Sequence, residues 1–293
     1  MKLALAQYPI GYFAGFAQWQ ANAADWVSRA VLDGATLLCF PEYGGMELTS
    51  LLPEKLQQDL HGQIAAVQKF QDDFVATYAA LARKHGVFIV APSILAHDEG
   101  KVRNRAWLLS PSGKSDYQDK RQMTRFEKEA WGIDGGTPLK IFDIGETKIG
   151  IAICYDIEFP LIAQAMASAG ADLILAPSCT DTLAGANRVH VGARARALES
   201  QIHVGLAPLV GNVDWNPTID VNIGWAAAYS APDRGFPDDG TLAKGEINQP
   251  GWVMADLDFA ALKATRTKAQ VFTRADWEDQ ALPGLGVTAR TIS

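Results

Sequence analysis

The sequence predicts an α/β fold of stacked layers, and three observations carry that prediction. Apolar runs of strand length alternate with longer helical stretches along the chain, the pattern of sheets covered by helices. Residues 34–42 (GATLLCFPE), 86–93 (GVFIVAPS) and 170–178 (GADLILAPS) each run from a helix end through a glycine, a buried strand and a proline to a polar residue. The stretches 19–32 and 70–84 carry apolar residues at three- and four-residue spacing, so each is expected to lay one face on a sheet.

The elements follow in chain order. Met1 to Ala6 read as a first strand, because Gln7 and Pro9 cut the apolar run too short for a signal-peptide core. The helix 19–32 leads into the strand at 37–40, and the helix 70–84 into the strand at 87–90. In each case a glycine can supply the left-handed cap that ends the helix, and a proline stops the strand where side chains emerge at the sheet rim. Residues 107–109 form a strand followed by a turn at 111–114, and Asp116-Tyr117-Gln118-Asp119 lead to Lys120. Residues 148–153 (KIGIAI) read as a strand running directly into Cys154-Tyr155-Asp156, ahead of a helix with apolar positions from Leu161 to Met166. Residues 212–248, rich in Pro, Gly, Asp and Trp, read as long ordered loops around a short strand near 225–229. A strand at 252–257 and a polar stretch from Lys263 onward complete the chain. A single domain spanning 1–293 is expected, with residues from about 258 to 293 packing on a neighbouring subunit.

Composition excludes several function classes. Hydrophobic residues at 48% and charged residues at 20% are globular values, and 293 residues suffice for a large core. The formal charge of −7 is spread without blocks, which argues against a phosphate-binding surface and hence against nucleic acid as a partner. No window approaches the roughly twenty apolar residues that cross a bilayer, so no membrane partner is expected. Three cysteines at wide spacing form neither a disulfide framework nor a CxxC zinc pattern. A reducing, cytoplasmic location follows, with no metal and no cofactor expected, since the five histidines show no metal-ligand spacing.

Strand exits at a sheet rim are where α/β proteins place ligand sites, and Cys154 stands at such an exit. On a strand-to-helix turn its thiol would be presented at the rim, while the free backbone N–H groups just after it could receive an oxyanion. A lone cysteine is more often buried filler, which describes Cys39 within Leu37-Leu38-Cys39-Phe40. Cys179, just past Pro177-Ser178, could line a pocket. Two further polar residues at strand exits set Cys154 apart: Glu42 after Phe40-Pro41, and Lys120.

At these residues the chain resembles the nitrilase superfamily of carbon–nitrogen hydrolases. The matching pieces are FPEYG around Glu42, YQDK ending at Lys120 and GIAICYDIEFP around Cys154, with RARALESQ near Glu199 as an echo. The resemblance covers nearly the whole chain in order and spacing. It implies a four-layer α-β-β-α sandwich, and homodimers or higher homo-oligomers paired through the helices that flank the sheets. It also implies roles: Glu42 as the base for Cys154, Lys120 and the Tyr155 backbone N–H as oxyanion donors, and a second glutamate orienting the substrate amide and holding Lys120. Glu127 and Glu129 both stand in reach, and counting back from Gly135-Gly136 as family members do selects Glu129. Tyr43 joins Tyr155, Glu127 and Cys179 as an expected substrate contact. Where many relatives carry a charged residue after Phe159-Pro160, this chain has Leu161. Asp156 is expected to serve the elbow or simply to cap a helix start.

The expected substrate is a small amide cleaved through a Cys154 thioester, with N-carbamoyl cleavage, nitrile hydrolysis and acyl transfer as alternatives on the same scaffold. A cysteine–histidine hydrolase using His190 or His203 is the rival mechanism, and a non-catalytic binding protein the rival from another class.

Overall fold

The computed structural model describes residues 1–136, 138–281, 284 and 286–292. Its fourteen strands, counted among the described residues, join in one hydrogen-bonded network. One half contains β1 (Lys2–Pro9), β2 (Leu37–Cys39), β3 (Phe88–Val90), β4 (Ile94–Asp98), β5 (Lys101–Leu109) and β6 (Ser115–Asp119). The other contains β7 (Ile141–Asp143), β8 (Lys148–Ile151), β9 (Leu173–Ser178), β10 (His203–Asn212) and the short β11 (Val221–Asn222), β12 (Ala227–Tyr229) and β13 (Thr241–Lys244). The last strand, β14 (Gly251–Asp256), returns to pair antiparallel with β1. β1 is the seam: its Leu3–Leu5 segment pairs with β2, while Tyr8 and Pro9 pair in parallel with Leu209 and Val210 of β10.

The helices are α1 (Phe16–Leu32), the short α2 (Glu54–Gln57) and α3 (Leu60–Ala66), α4 (Gln71–His85), the five-residue α5 (Arg125–Glu129), α6 (Pro160–Ser168), α7 (Leu183–Ser200) and α8 (Phe259–Lys268). Because strand side chains alternate in direction, β1 and β2 serve two interfaces at once. Leu3, Leu5, Leu37 and Cys39 share a buried cluster with Leu175 and Val204 of the other half and with Ile162, Met166, Val189 and Ala193 of α6 and α7. Ala4, Ala6, Tyr8 and Leu38 turn the other way, onto Trp19 and Val27 of α1 and Phe74 and Tyr78 of α4. The layers therefore run helix, sheet, sheet, helix, the four-layer sandwich the sequence implied. The two sheets touch at Gly205, where a Cβ would stand 2.9 Å from Leu3 and 3.0 Å from Leu5, closer than packed carbons allow.

The expected elements are present with three revisions. Gly34, Gly86 and Gly170 all take positive φ at helix ends, but Pro177 does not end its strand. β9 continues to Ser178, paired in parallel with Ala207 and Pro208. The 212–248 region holds three short strands rather than one. Cys154 opens a 3-10 turn, Cys154–Glu158, and α6 begins only at Pro160, where proline suits the first helical position.

Near the C-terminus, Phe259 and Leu262 of α8 lie in the core. Arg266 pairs with Asp172 at 2.7 Å, and Arg274 donates to the Ala167 carbonyl at 2.6 Å. Residues 259–274 thus pack on their own chain. Among the described residues no helix is long and apolar enough to cross a membrane.

Candidate active site

Three exits from the sheets deliver the expected trio to one place. Beyond β2, Phe40 and Pro41 lead to Glu42, and Tyr43 then takes a left-handed conformation at φ 58° that turns the chain into the 3-10 stretch Gly44–Leu51. Beyond β6 comes Lys120, whose backbone N–H donates to the Asn104 carbonyl on β5 at 2.8 Å. The β5–β6 hairpin is locked by Arg105, which grips Asp119 through two bonds of 2.7 and 2.9 Å. Beyond β8, Cys154 sits at φ 48°, a region costly for any residue but glycine. Asp156 joins the second and third exits: its carboxylate accepts the backbone N–H groups of Gln122 at 2.7 Å and Ile153 at 3.2 Å. It is less an N-terminal cap than a staple between the Lys120 loop and the cysteine elbow.

Glu42, Lys120 and Glu127 are 1%, 1% and 2% exposed, and Cys154 4%, so each charge must find its partner inside the protein. Lys120 Nζ donates to Glu42 Oε1 at 2.7 Å and to both Glu127 oxygens at 2.8 Å. Glu42 Oε2 accepts the Cys179 backbone N–H at 2.9 Å, and the Cys154 Sγ lies 3.5 Å from the Cys179 carbonyl oxygen. Cys179 therefore contributes through its backbone, holding the carboxylate with one group and the thiol with the other, while its own thiol turns to Asn222 Oδ1 at 3.3 Å.

The charges follow from this packing. Burial pushes Glu42 up to about 7, against the pull of Lys120, so it exchanges protons near neutrality. Burial would also raise Glu127, but Lys120 and the donors from Tyr43 and Thr124 hold it below the usual carboxylate range. Burial opposes a charge on Lys120, yet the two carboxylates hold its pKa well above the ordinary value, which makes it a fixed cation. Burial, reinforced by Glu42, pushes the Cys154 thiol well up, so the resting sulfur keeps its proton.

The choice between the two glutamates is corrected here. Glu127 is in the cluster and Glu129 is not: the Glu129 side chain is 62% exposed and pairs along the helix surface with Arg125 at 2.8 Å. The reason is a capping box. Thr124 caps α5 and Glu127 is its third residue, reaching back to the Thr124 N–H at 2.7 Å, which turns the carboxylate inward. The pattern Thr124-x-x-Glu127 was available in the sequence and outranks spacing to the glycine pair. Gly136 answers to a different constraint, since a Cβ there would clash with Asp119.

The other expected residues divide. Tyr43 donates its hydroxyl to Glu127 and packs edge-on to Trp131 at 5.5 Å. Tyr155 lines the same cavity. Leu161 is 73% exposed on α6, so the departure there does not reach the cavity. The histidine rivals lie elsewhere: His190 stacks on Trp225 at 3.9 Å with its ring nitrogens on Tyr229 and the Trp225 carbonyl, and His203 sits edge-on to Phe236 and Phe259. Sequence reading missed Asn104 and gave no role to Ser93, the polar residue that ends the 86–93 segment. Asn104 is fully buried and donates to Glu42 Oε1 at 2.9 Å, and Ser93 Oγ contacts Asn104 Oδ1 at 2.6 Å. Asn104 gives no signal in an ordinary strand pattern.

The site opens into a cavity of about 730 Å³, room for a small organic molecule. Arg125, Glu158, Asp181, Arg188 and Asp220 mark its outer wall.

Residues 2–266 match the family model described as carbon-nitrogen hydrolase. The chain is 29% identical over 271 residues to the probable hydrolase YhcX of Bacillus subtilis, covering 92% of this chain but 52% of that protein, so it spans about half the length of this relative. It is 25% identical to the omega-amidase NIT2-A of Xenopus laevis, over 64% of this chain and 67% of that one. The crystal structure of Nit3 from Saccharomyces cerevisiae, a member of branch 10 of the nitrilase superfamily, matches at a TM-score of 0.72 and 22% identity, covering 97% of this chain and 94% of that one.

Proposed function

The chain belongs to the carbon–nitrogen hydrolase family, and from that premise we propose that it hydrolyses a small linear amide through a thioester on Cys154. One observation carries the reading: a thiol, two carboxylates and an ammonium, all buried, meet at the floor of a single cavity.

The chemistry follows the proton affinities. Glu42 in its ionised form takes the Cys154 proton as sulfur attacks the amide carbon, forming the carbon–sulfur bond and moving the carbonyl electron pair onto oxygen. That oxyanion takes a proton contact from Lys120 and the Tyr155 backbone N–H. An ammonium has only three protons, and the two carboxylates engage them at rest, so Lys120 meets the oxyanion by loosening its two-oxygen hold on Glu127. Collapse of the intermediate breaks the carbon–nitrogen bond as Glu42 returns the proton to nitrogen, releasing ammonia or an amine. Glu42 then takes a proton from water attacking the thioester, and the released thiolate is reprotonated as the acid leaves. Glu127 holds Lys120 throughout. An amide is favoured over a nitrile or an N-carbamoyl compound because of the omega-amidase relative.

An ammonia-release screen over aliphatic amides, ω-amides, N-carbamoyl compounds and nitriles tests this, with Cys154→Ala as the blank. Release from a linear amide, lost in the blank and accompanied by an acyl adduct on the Cys154 peptide, supports the reading. Release from nitriles or N-carbamoyl compounds alone, or release that survives in Cys154→Ala, overturns it.

The free thiols suit a reducing cytoplasm. Leu161 on α6 and Leu183, Val191 and Leu198 on α7 are 73%, 51%, 68% and 41% exposed, and this apolar outer face supports a homodimer paired there, which light scattering would report as twice the chain mass.

A further inference from the structure

We infer that Asn104, fixed in orientation by Ser93, is a positioning residue that sets the orientation and proton affinity of Glu42. The inference rests on the reading of Glu42 as the base for Cys154.

The direction of the relay follows from its two ends, a backbone amide that can only donate and carboxylates that accept. Tyr43 N–H can only donate, and it donates to Ser93 Oγ at 2.8 Å. The Ser93 hydroxyl proton is then free to point at Asn104, whose side-chain atom lies 2.6 Å away. The other end of the Asn104 amide faces Glu42 Oε1 at 2.9 Å and Glu127 Oε1 at 3.5 Å, and carboxylate oxygens accept, so that end is Nδ2 and the atom meeting the Ser93 hydroxyl is the carbonyl oxygen Oδ1. An amide whose two ends are otherwise interchangeable is thus locked with its donor on the carboxylates. The backbone of the same residue holds Lys120 through its carbonyl at 2.8 Å, so Asn104 touches the base, its counterion and the second glutamate at once.

The consequence for Glu42 is an asymmetry between its oxygens. Oε1 already accepts from Lys120 at 2.7 Å and from Asn104 at 2.9 Å, so both of its lone pairs are engaged. Oε2 accepts only the Cys179 N–H, at 2.9 Å, among the described residues. The remaining lone pair of Oε2 is the place for the thiol proton. The charged and titratable groups that face Glu42 are Lys120 beyond β6, Glu127 on α5, Tyr43 beside it, Cys154 on the elbow and Cys179 beyond β9. Of these only Lys120 favours the carboxylate by charge, so a neutral donor such as Asn104 matters to its ionisation.

The test uses the full chain and iodoacetamide, with alkylation of the Cys154 peptide followed by mass spectrometry from pH 5 to 9 and the Cys39 and Cys179 peptides as internal references. Alkylation of Cys154 needs Glu42 ionised, so its rate should rise through a midpoint near neutrality. In Asn104→Leu, loss of a donor to a charged acceptor should move that midpoint upward by about one pH unit, with the high-pH plateau within about threefold. Ser93→Ala should move it in the same direction by less, because Asn104 can then turn over, and Ser93→Thr should restore it. A midpoint that stays within about 0.3 of the wild type in Asn104→Leu and Ser93→Ala, whether or not the plateau falls, overturns the inference. Where Asn104→Leu does not fold, Ser93→Ala and Ser93→Thr decide alone. Failure of the wild-type Cys154 to react faster than Cys39 and Cys179 would instead remove the nucleophile reading, and the inference with it.

Discussion

Two glutamates five positions apart on the chain, Glu42 and Glu47, are equally buried, at 1% exposure each, and equally perturbed: burial pushes the first up to about 7 and the second up to about 8. Their surroundings differ. Glu42 faces an ammonium, a thiol and a cavity. Glu47 is enclosed by neutral donors, with the Tyr8 hydroxyl at 2.9 Å, the Trp19 indole N–H at 2.7 Å and the Gly11 N–H at 3.2 Å, inside an aromatic cluster where Trp19 stacks on Phe74 at 5.6 Å. A perturbed pKa marks a candidate site, yet by that measure alone Glu47 would rank with Glu42. What separates them is a partner able to give up a proton and a space for something to receive it. One carboxylate reacts under the proposed mechanism, and the other holds α1 against the Gly44–Leu51 turn.

Substitutions can break this contrast. The largest expected effect is in Glu42→Gln, which should lower turnover by about 10²–10⁴-fold while the thermal midpoint stays within a few degrees, measured by ammonia release and calorimetry. Glu127→Gln should come next, with a loss of about 10²-fold or more, because Lys120 loses half of the charge that holds it; Glu129→Gln, two positions away, should leave turnover within about twofold. Glu47→Leu reverses the pattern. It strands the Tyr8, Trp19 and Gly11 donors and should cost about 3 kcal/mol or more in chemical denaturation, with activity per folded molecule retained.

The smaller effects concern pH. Under the proposed mechanism, which uses Glu42 as an ionised base, its titration should appear in rate: kcat/KM should fall about tenfold per pH unit below about 7. The Glu47 titration should appear in stability. Its folded pKa lies above its unfolded value, so its contribution is complete below pH 4.5 and is lost as pH rises through about 8. Denaturant midpoints should therefore decline across that window in the wild type and decline less in Glu47→Leu.

How much of this could be read from the sequence depends on whether a residue's role is local. The strands, the long helices and the exits carrying Glu42, Lys120 and Cys154 are written in apolar period and in glycine–proline punctuation, which act over a few residues. Glu127 was equally local, through Thr124, but counting to Gly135-Gly136 concealed it. Asn104 was not legible, and Ser93 was visible only as a polar residue at a strand exit, because β4 and β5 had first to pair antiparallel and set the two side chains 2.6 Å apart. The same holds for Cys179, whose thiol drew notice although its backbone N–H and carbonyl make the contacts that matter.

The left-handed backbone at Cys154 has an evolutionary consequence. Holding a side chain there costs about 1–2 kcal/mol, which glycine would relieve, at the smaller expense of about 0.4–1 kcal/mol from a freer unfolded chain. Cysteine and glycine codons differ by one base. Loss of the buried thiol from its cluster works against that relief, yet a folded protein without it is a single mutation away and selection for folding does little to retain it. In any lineage released from selection for turnover, position 154 should drift to glycine early, while Trp19, Tyr78 and Glu47 persist for the sake of the fold.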